Sequence, residues 1–163
     1  MKKSVKIIFL ILLICVSCTN SDKQKSTTKE KRYLCGFSND SLKIRTEYTL
    51  TKTITDSIIK FDYSSHTDSL RDFNVEFKKH KNKLVFTQNE YEKSEINRFK
   101  NNRISIKHFD SYTFIKPEID GMSPVLFNEN YGVLAIGNPL GPSAIFLKKK
   151  EEFELGDKIL DKL

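Results

Sequence analysis

The sequence predicts a mainly β fold, built as an antiparallel sheet or a small open barrel with a short C-terminal helix. Short segments in which apolar and polar residues alternate recur along the chain, which is typical of strands with one buried face. Turn-forming residues separate these segments at short intervals, as in all-β domains. The chain has 163 residues, a length that fits one domain.

The alternating segments define the predicted strands. The clearest runs from Leu42 to Leu50, where every second side chain is apolar or Thr. The pattern returns in short segments separated by polar residues, at 59–63, 73–77, 84–86, 104–106 and 112–114. Three more apolar segments predict the last strands, at 125–127, 132–136 and 143–147.

Turns are predicted from a small repeated signature. Asp-Ser followed by an apolar residue occurs four times, beginning at Asp40, Asp56, Asp68 and Asp110. Asp and Ser side chains bond to nearby backbone groups in turns, so each copy predicts a turn that leads into a strand. The lysine-rich segment 78–83 predicts a hairpin loop between two strands.

Two segments favour helices. Within residues 88–102, three spaced side chains would share one helix face: Tyr91, Glu95 and Phe99. Residues 156–163 fit a short amphipathic helix, for which Asp157 is the predicted N-cap.

The start of the chain has the features of an export leader. Lys2, Lys3 and Lys6 make its beginning positive, and residues 7–16 form an uncharged apolar run. A transmembrane helix needs about 20 apolar residues, so this shorter run matches the core of a cleaved signal peptide. We therefore expect residues 1–17 to be a signal peptide that is removed.

Residues 14–18, ICVSC, resemble the lipobox of bacterial lipoproteins. In that family the cysteine thiol is diacylated, and cleavage then makes this cysteine the new N-terminus. The resemblance implies that Cys18 carries the lipid, although Cys15 stands where the family usually has an aliphatic residue. It predicts an exported protein that acyl chains hold on a bacterial cell membrane, facing the periplasm or the cell surface.

The remaining chain divides into a lipidated cysteine with a disordered tether, residues 18–32, and a single β-rich domain, residues 33–163. Residues 19–32 contain no large apolar residue, and such a segment has nothing to bury. Of the net charge of +7, the predicted domain holds only +1, from 20 basic and 19 acidic residues. The basic excess therefore lies in the leader and tether, which favours a membrane surface over nucleic acid as partner.

One cysteine remains in the predicted domain. Cys35 lies in an apolar stretch, where a free cysteine usually packs as a small buried apolar side chain. It has no cysteine partner within the domain, so we expect the fold to be stabilised by its apolar core without a disulfide.

Two segments share the pattern His-x-Asp-Ser: His66 with Asp68, and His108 with Asp110. In an extended strand, His and Asp two residues apart lie on the same face. All four side chains together would suit a metal such as zinc or acid–base catalysis. The pattern distantly resembles the paired histidine motifs of two-histidine phosphoesterases, although Asp68 and Asp110 stand where that family has Ser or Thr. The alternative is that each His is an exposed residue preceding a turn.

Apart from the His-x-Asp-Ser pair, no motif in the sequence indicates a metal site, and none indicates a cofactor. The leading hypothesis is a non-catalytic binding module of the cell envelope, whose partner is a protein, a peptide or a lipid. One alternative is a small metal-dependent or acid–base hydrolase that uses the His-x-Asp-Ser pair. Another is an open-barrel lipid carrier, which requires a continuous apolar cavity.

Overall fold

The computed structural model describes residues 26–38, 41–115, 124–138 and 141–163. They form a ring of antiparallel strands in which each strand pairs with its neighbours in sequence, and β1 also pairs with β10. The strands are β1 (Ser26–Ser38), β2 (Ser41–Ile54), β3 (Ile58–Ser65), β4 (Phe73–Lys78), β5 (Lys83–Phe86), β6 (Asn89–Asn101), β7 (Ser105–Phe114), β8 (Val125–Asn128), β9 (Gly132–Ile136) and β10 (Ala144–Leu147). The predicted mainly β, antiparallel fold with a short C-terminal helix is confirmed.

The ring has two ends, which the strand registers define. Ser26 pairs with Ile54, Ile58 with Lys78, and Lys78 with Lys83. The start of β1 therefore lies at the same end as the β2–β3 and β4–β5 turns. Because the strands alternate in direction, the tip of the β6–β7 hairpin and the β8–β9 turn lie there too. We call this the proximal end, and the opposite end, with the β3–β4 connection and the β5–β6 turn, the distal end.

Aromatic side chains fill the interior of the ring. Phe61 on β3 lies edge-on to Phe127 on β8, with ring centroids 5.4 Å apart. Tyr63, also on β3, lies 5.4 Å from Phe146 on β10, and its hydroxyl accepts a hydrogen bond from the Val133 amide on β9 at 2.9 Å. Since β3 is opposite β8 in the strand order, the two walls of the ring are in direct contact at this level.

A second apolar cluster covers the outer face of β8, β9 and β10. After β10, the chain forms a 3-10 helix (Lys150–Leu155) and helix α1 (Gly156–Leu160). Leu155 and Ile159 are buried in this cluster against outward side chains such as Ile145. The last three strands are therefore covered on both faces, which explains their nearly continuous apolar sequence. Among the described residues, no helix has the length and apolar content needed to cross a bilayer.

The predicted helix over residues 88–102 is wrong, because this segment forms β6. Tyr91 pairs with Leu84 on β5 and Phe114 on β7, so it lies inside a sheet. Farther along β6, the pairing with β7 shifts register several times, and Asn97 has a positive φ of 56°. Such bulges interrupt the two-residue period from which a strand is predicted.

The C-terminal helix and one strand also differ in detail from the prediction. The N-cap of α1 is Leu155, and Asp157 lies in the first turn, because the preceding 3-10 helix continues directly into α1. The segments 104–106 and 112–114, predicted as separate strands, both belong to the region of β7, which runs unbroken over Ser105–Phe114.

The start of the folded domain also needs correction. Residues 26–32, predicted as tether, form the first part of β1 and pair with β2. These residues are polar, but Arg32 is fully buried and makes its contacts inside the fold. The domain therefore begins no later than Ser26. The predicted signal peptide, residues 1–17, and Cys18 lie outside the described residues.

Candidate functional site

The candidate site is a pocket of about 240 Å³ at the proximal end of the ring, which we call the mouth pocket. Buried aromatic side chains from β4, β7 and β8 form its floor: Phe77, Tyr112 and Phe127. Polar side chains from the β4–β5 turn, the β6–β7 hairpin and the β8–β9 turn form its rim: Asn82, Lys93, Lys107, His108, Asp110 and Glu129. An apolar floor with a few polar groups around it is typical of ligand sites.

β7 places one of the predicted His-x-Asp-Ser segments in this pocket. His108 and Asp110 both line it, as we expect of residues two apart on an extended strand. The Asp110 carboxylate forms an ion pair with Lys93 at 2.5 Å and accepts a hydrogen bond from the Asn97 amide at 2.8 Å. His108 is exposed and has no hydrogen bond or ion pair with any residue that the structure describes.

The β8–β9 turn closes one side of the mouth and is held by two lysines. Lys107 on β7 forms an ion pair with Glu129 at 2.9 Å. The side chain of Lys52 on β2 extends to the β8–β9 turn. There it donates hydrogen bonds to the carbonyl oxygens of Glu129 at 2.7 Å and Asn130 at 3.3 Å. Burial lowers the pKa of Lys52, because the surrounding protein solvates its charge less well than water. The rim is therefore built largely from charges that are already paired.

The other His-x-Asp-Ser segment lies at the distal end. Nε2 of His66 is 2.8 Å from the Thr49 hydroxyl. The Asp68 carboxylate accepts a hydrogen bond from the Leu70 amide at 2.9 Å and lies 3.4 Å from Nε of Arg71. Asp68 thereby caps the 3-10 helix Ser69–Arg71, as its Asp-Ser turn signature predicts.

The four predicted site residues therefore do not converge. His66 and Asp68 are at the distal end, whereas His108 and Asp110 are at the proximal end. In the described parts of the chain, no group of three or more His, Cys, Asp or Glu side chains is arranged to hold a metal ion. The matching sequence motifs fall in different local structures, since one is a turn and the other a strand.

The remaining Asp-Ser signatures have mixed outcomes. Asp56 lies in the β2–β3 turn, as predicted. Asp110 lies within β7, so the turn predicted there is wrong. Asp40 lies outside the described residues.

Cys35 is buried in the cluster on the outer face of the ring, as predicted for a small apolar side chain. Burial raises the pKa of its thiol to about 11, because the thiolate would lose its hydration. The thiol is therefore protonated and shielded at neutral pH.

A buried ionic cluster near the start of β1 was not predicted. The Arg32 guanidinium donates hydrogen bonds to the Glu30 carboxylate at 2.6 Å and the Tyr131 carbonyl at 2.8 Å. It also lies 4.5 Å from the centroid of the Tyr131 ring. Lys148 forms an ion pair with Glu30 at 2.9 Å. The only signal in the sequence is that Glu30 and Arg32, two residues apart, lie on one face of a strand.

This cluster joins β1 to the β8–β9 turn, and so positions one part of the proximal end relative to another.

No family model matches the chain, and no curated protein or solved structure matches it either.

Proposed function

We propose that the chain is a lipid-anchored, non-catalytic binding module of a bacterial cell envelope, which binds its partner through the mouth pocket. Cys18 is the proposed lipid attachment site. The observation that carries the proposal is that β1 begins at Ser26, at the end of the ring that holds the mouth pocket. Seven residues separate Cys18 from Ser26, and the eight Cα–Cα steps between the two reach at most about 30 Å. The pocket would therefore lie close to the bilayer.

The chemistry of the pocket favours binding over catalysis. The Asp110 and Glu129 carboxylates that line the pocket are already paired with Lys93 and Lys107. His108 is unpaired among the described residues, but no carboxylate there orients its ring, as the base of a catalytic pair requires. An aromatic floor under a rim of both charges suits a ligand that has an apolar part and a polar part. The contacts between opposite walls of the ring weigh against a lipid carrier, which needs a continuous cavity.

One experiment tests both parts of the proposal in cells. The mature N-terminus is determined by mass spectrometry, and a photocrosslinking amino acid replaces His108 in the mouth pocket. We expect an acylated Cys18 and a crosslinked partner. The matched control places the same crosslinker at His66, which is an exposed histidine at the distal end, and should capture much less.

The anchor has a matched control of its own. Cys18→Ala should abolish acylation and leave the leader uncleaved, whereas Cys35→Ala should be acylated and cleaved like the unsubstituted chain, since Cys35 is buried in the fold. A mature N-terminus that carries no acyl chains contradicts the anchor. Equal crosslinking from positions 108 and 66 contradicts the role of the mouth pocket.

A further inference from the structure

We propose that the proximal end of the ring is a docking surface for an anionic phospholipid bilayer. The inference rests on the proposed anchor at Cys18 and names the surface that the anchored ring turns toward the membrane. Three features of this end carry it: the position from which the tether leaves, the exposed lysines around that position, and an exposed isoleucine.

The length of the tether restricts which end can reach the bilayer. β1 runs for 13 residues from the proximal to the distal end, which corresponds to about 40 Å of strand. The eight Cα–Cα steps from Cys18 to Ser26 span at most about 30 Å. A tether this short cannot run back along β1 to bring the distal end onto the membrane. The proximal end, where Ser26 lies, is within reach.

The turns around Ser26 carry exposed positive charge. Lys81 and His80 at the tip of the β4–β5 turn are exposed, and so is Lys29 near the start of β1. Neither Lys29 nor Lys81 has an ion pair or side-chain hydrogen bond with a residue that the structure describes. Lys79 donates a hydrogen bond to the Thr55 carbonyl at 2.6 Å, which ties the β4–β5 turn to the β2–β3 turn.

The acidic side chains near these positions are Asp56, in the β2–β3 turn, and Glu30 and Glu90, which already form ion pairs with Arg32 and Lys78. The lysines at positions 29, 79 and 81 form no ion pair with a described residue and add positive charge to this end. Lysines close to a membrane are attracted by anionic headgroups, and the attraction adds up over neighbouring side chains. The charge of this end therefore complements a surface of phosphate groups.

An exposed apolar side chain lies at the same end. Ile106, at the start of β7, is 87% exposed. Its position is fixed because the Asn128 side chain donates hydrogen bonds to the Ser105 hydroxyl at 3.1 Å and the Lys107 carbonyl at 3.3 Å. An apolar side chain beside basic ones is typical of protein segments that lie in the headgroup region of a bilayer.

The test measures sedimentation of the unlipidated mature chain with vesicles. The chain is residues 18–163, which include every described residue, with Cys18→Ser. We expect it to bind phosphatidylglycerol vesicles, to bind phosphatidylcholine vesicles weakly, and to be released by 1 M salt. The double variant Lys29→Gln and Lys81→Gln should weaken binding to phosphatidylglycerol by about 25-fold, at about fivefold per lysine. Ile106→Ser should weaken it by about threefold to tenfold.

Matched controls come from the distal end. Lys43 pairs with Gly36 near the distal end of β2, and Lys158 is next to Asp157, which lines a pocket with Gly141 and Pro142 just before β10. Both lysines are exposed, and Lys43→Gln with Lys158→Gln removes the same charge as the proximal pair. Leu70, 94% exposed in the β3–β4 connection, is the control for Ile106, as Leu70→Ser. Both controls should bind like the unsubstituted chain. Equal binding to both lipids, or equal effects of the proximal and distal variants, would overturn the docking surface. The chain in this test carries no lipid, so its binding to vesicles does not depend on whether Cys18 is acylated. The mass of the natural N-terminus tests the anchor separately.

Discussion

At the scale of single residues, Glu30 and Arg32 show how charged side chains are accommodated inside the first strand. Arg32 is fully buried, a position that a charged group occupies only when it is paired. Burial by itself raises the pKa of Glu30, but hydrogen bonds and charges from Arg32 and Lys148 outweigh it and hold the pKa below its ordinary value of 4.5. The ionised carboxylate of Glu30 therefore stabilises the fold.

This shift predicts a pH dependence of stability. A carboxyl group with a lowered folded-state pKa stabilises the fold above the unfolded-state pKa, and the stabilisation is lost as pH falls through the folded-state value. We expect Glu30→Gln to lower the free energy of unfolding by about 1–2 kcal/mol at pH 7, and by clearly less at pH 3. Urea unfolding at both pH values measures this. Glu92→Gln, at an exposed position, is the control. Equal losses for Glu30→Gln at both pH values would contradict the assignment.

At the scale of elements, the sequence predicts strands well where alternation is regular, and poorly where it is not. β3 to β5 keep an uninterrupted two-residue period, and their positions were predicted. β2 was predicted from the alternation in its sequence, although its pairing with β1 shifts register between Thr46 and Ile44. β6 was not, because its bulges around Asn97 break that period. The first half of β1 was not predicted, because its burial depends on the contact of Arg32 with Tyr131. Tyr131 lies 99 residues later in the chain, so no local pattern indicates this contact.

The candidate site was also predicted only where it depends on regular strands. The buried floor residues of the mouth pocket lie in predicted strands, and the common face of His108 and Asp110 follows from strand geometry. That these residues meet the β8–β9 turn depends on how the strands close into a ring, which no local pattern encodes. For the same reason, similar motifs at His66 and His108 gave no information about the distance between them.

The start of β9 provides a prediction at this scale. Gly132 has a φ of +90°, and a Cβ added to it would lie 2.7 Å from the Tyr63 hydroxyl. We expect Gly132→Ala to lower the free energy of unfolding by about 1–3 kcal/mol, from backbone strain and overpacking. Gly36→Ala is the matched control, because its Cβ would make ordinary contacts, the nearest at 3.6 Å. Urea unfolding compares the two, and equal stability of the variants would show that the approach to Tyr63 is not tight.

At the scale of the whole molecule, the two apolar clusters share one layer of backbone. β8, β9 and β10 carry the aromatic interior on one face and the cluster with α1 on the other. Side-chain packing on either face therefore supports the same strands. We expect the ring and the C-terminal helix to unfold together.

The helix tests this coupling. Ile159, on α1, is fully buried, whereas Leu70 is almost fully exposed. Ile159→Ala should lower the free energy of unfolding by about 2–4 kcal/mol, and Leu70→Ala should change it by less than about 0.5 kcal/mol. Far-ultraviolet and near-ultraviolet circular dichroism should give one coincident transition. If the interior tyrosines kept their signal while the helix unfolded, the two clusters would be independent.

The pairing of β1 with β10 has a consequence for how the protein folds. Gly36 on β1 pairs with Ala144 on β10, so β1 acquires its second partner only after all the sequence between them has been delivered. Until then, one edge of β1 exposes unpaired backbone groups, to which other partly folded chains can add. A variant that ends before Ala144 keeps this edge, and we expect it to aggregate more readily than one that retains β10.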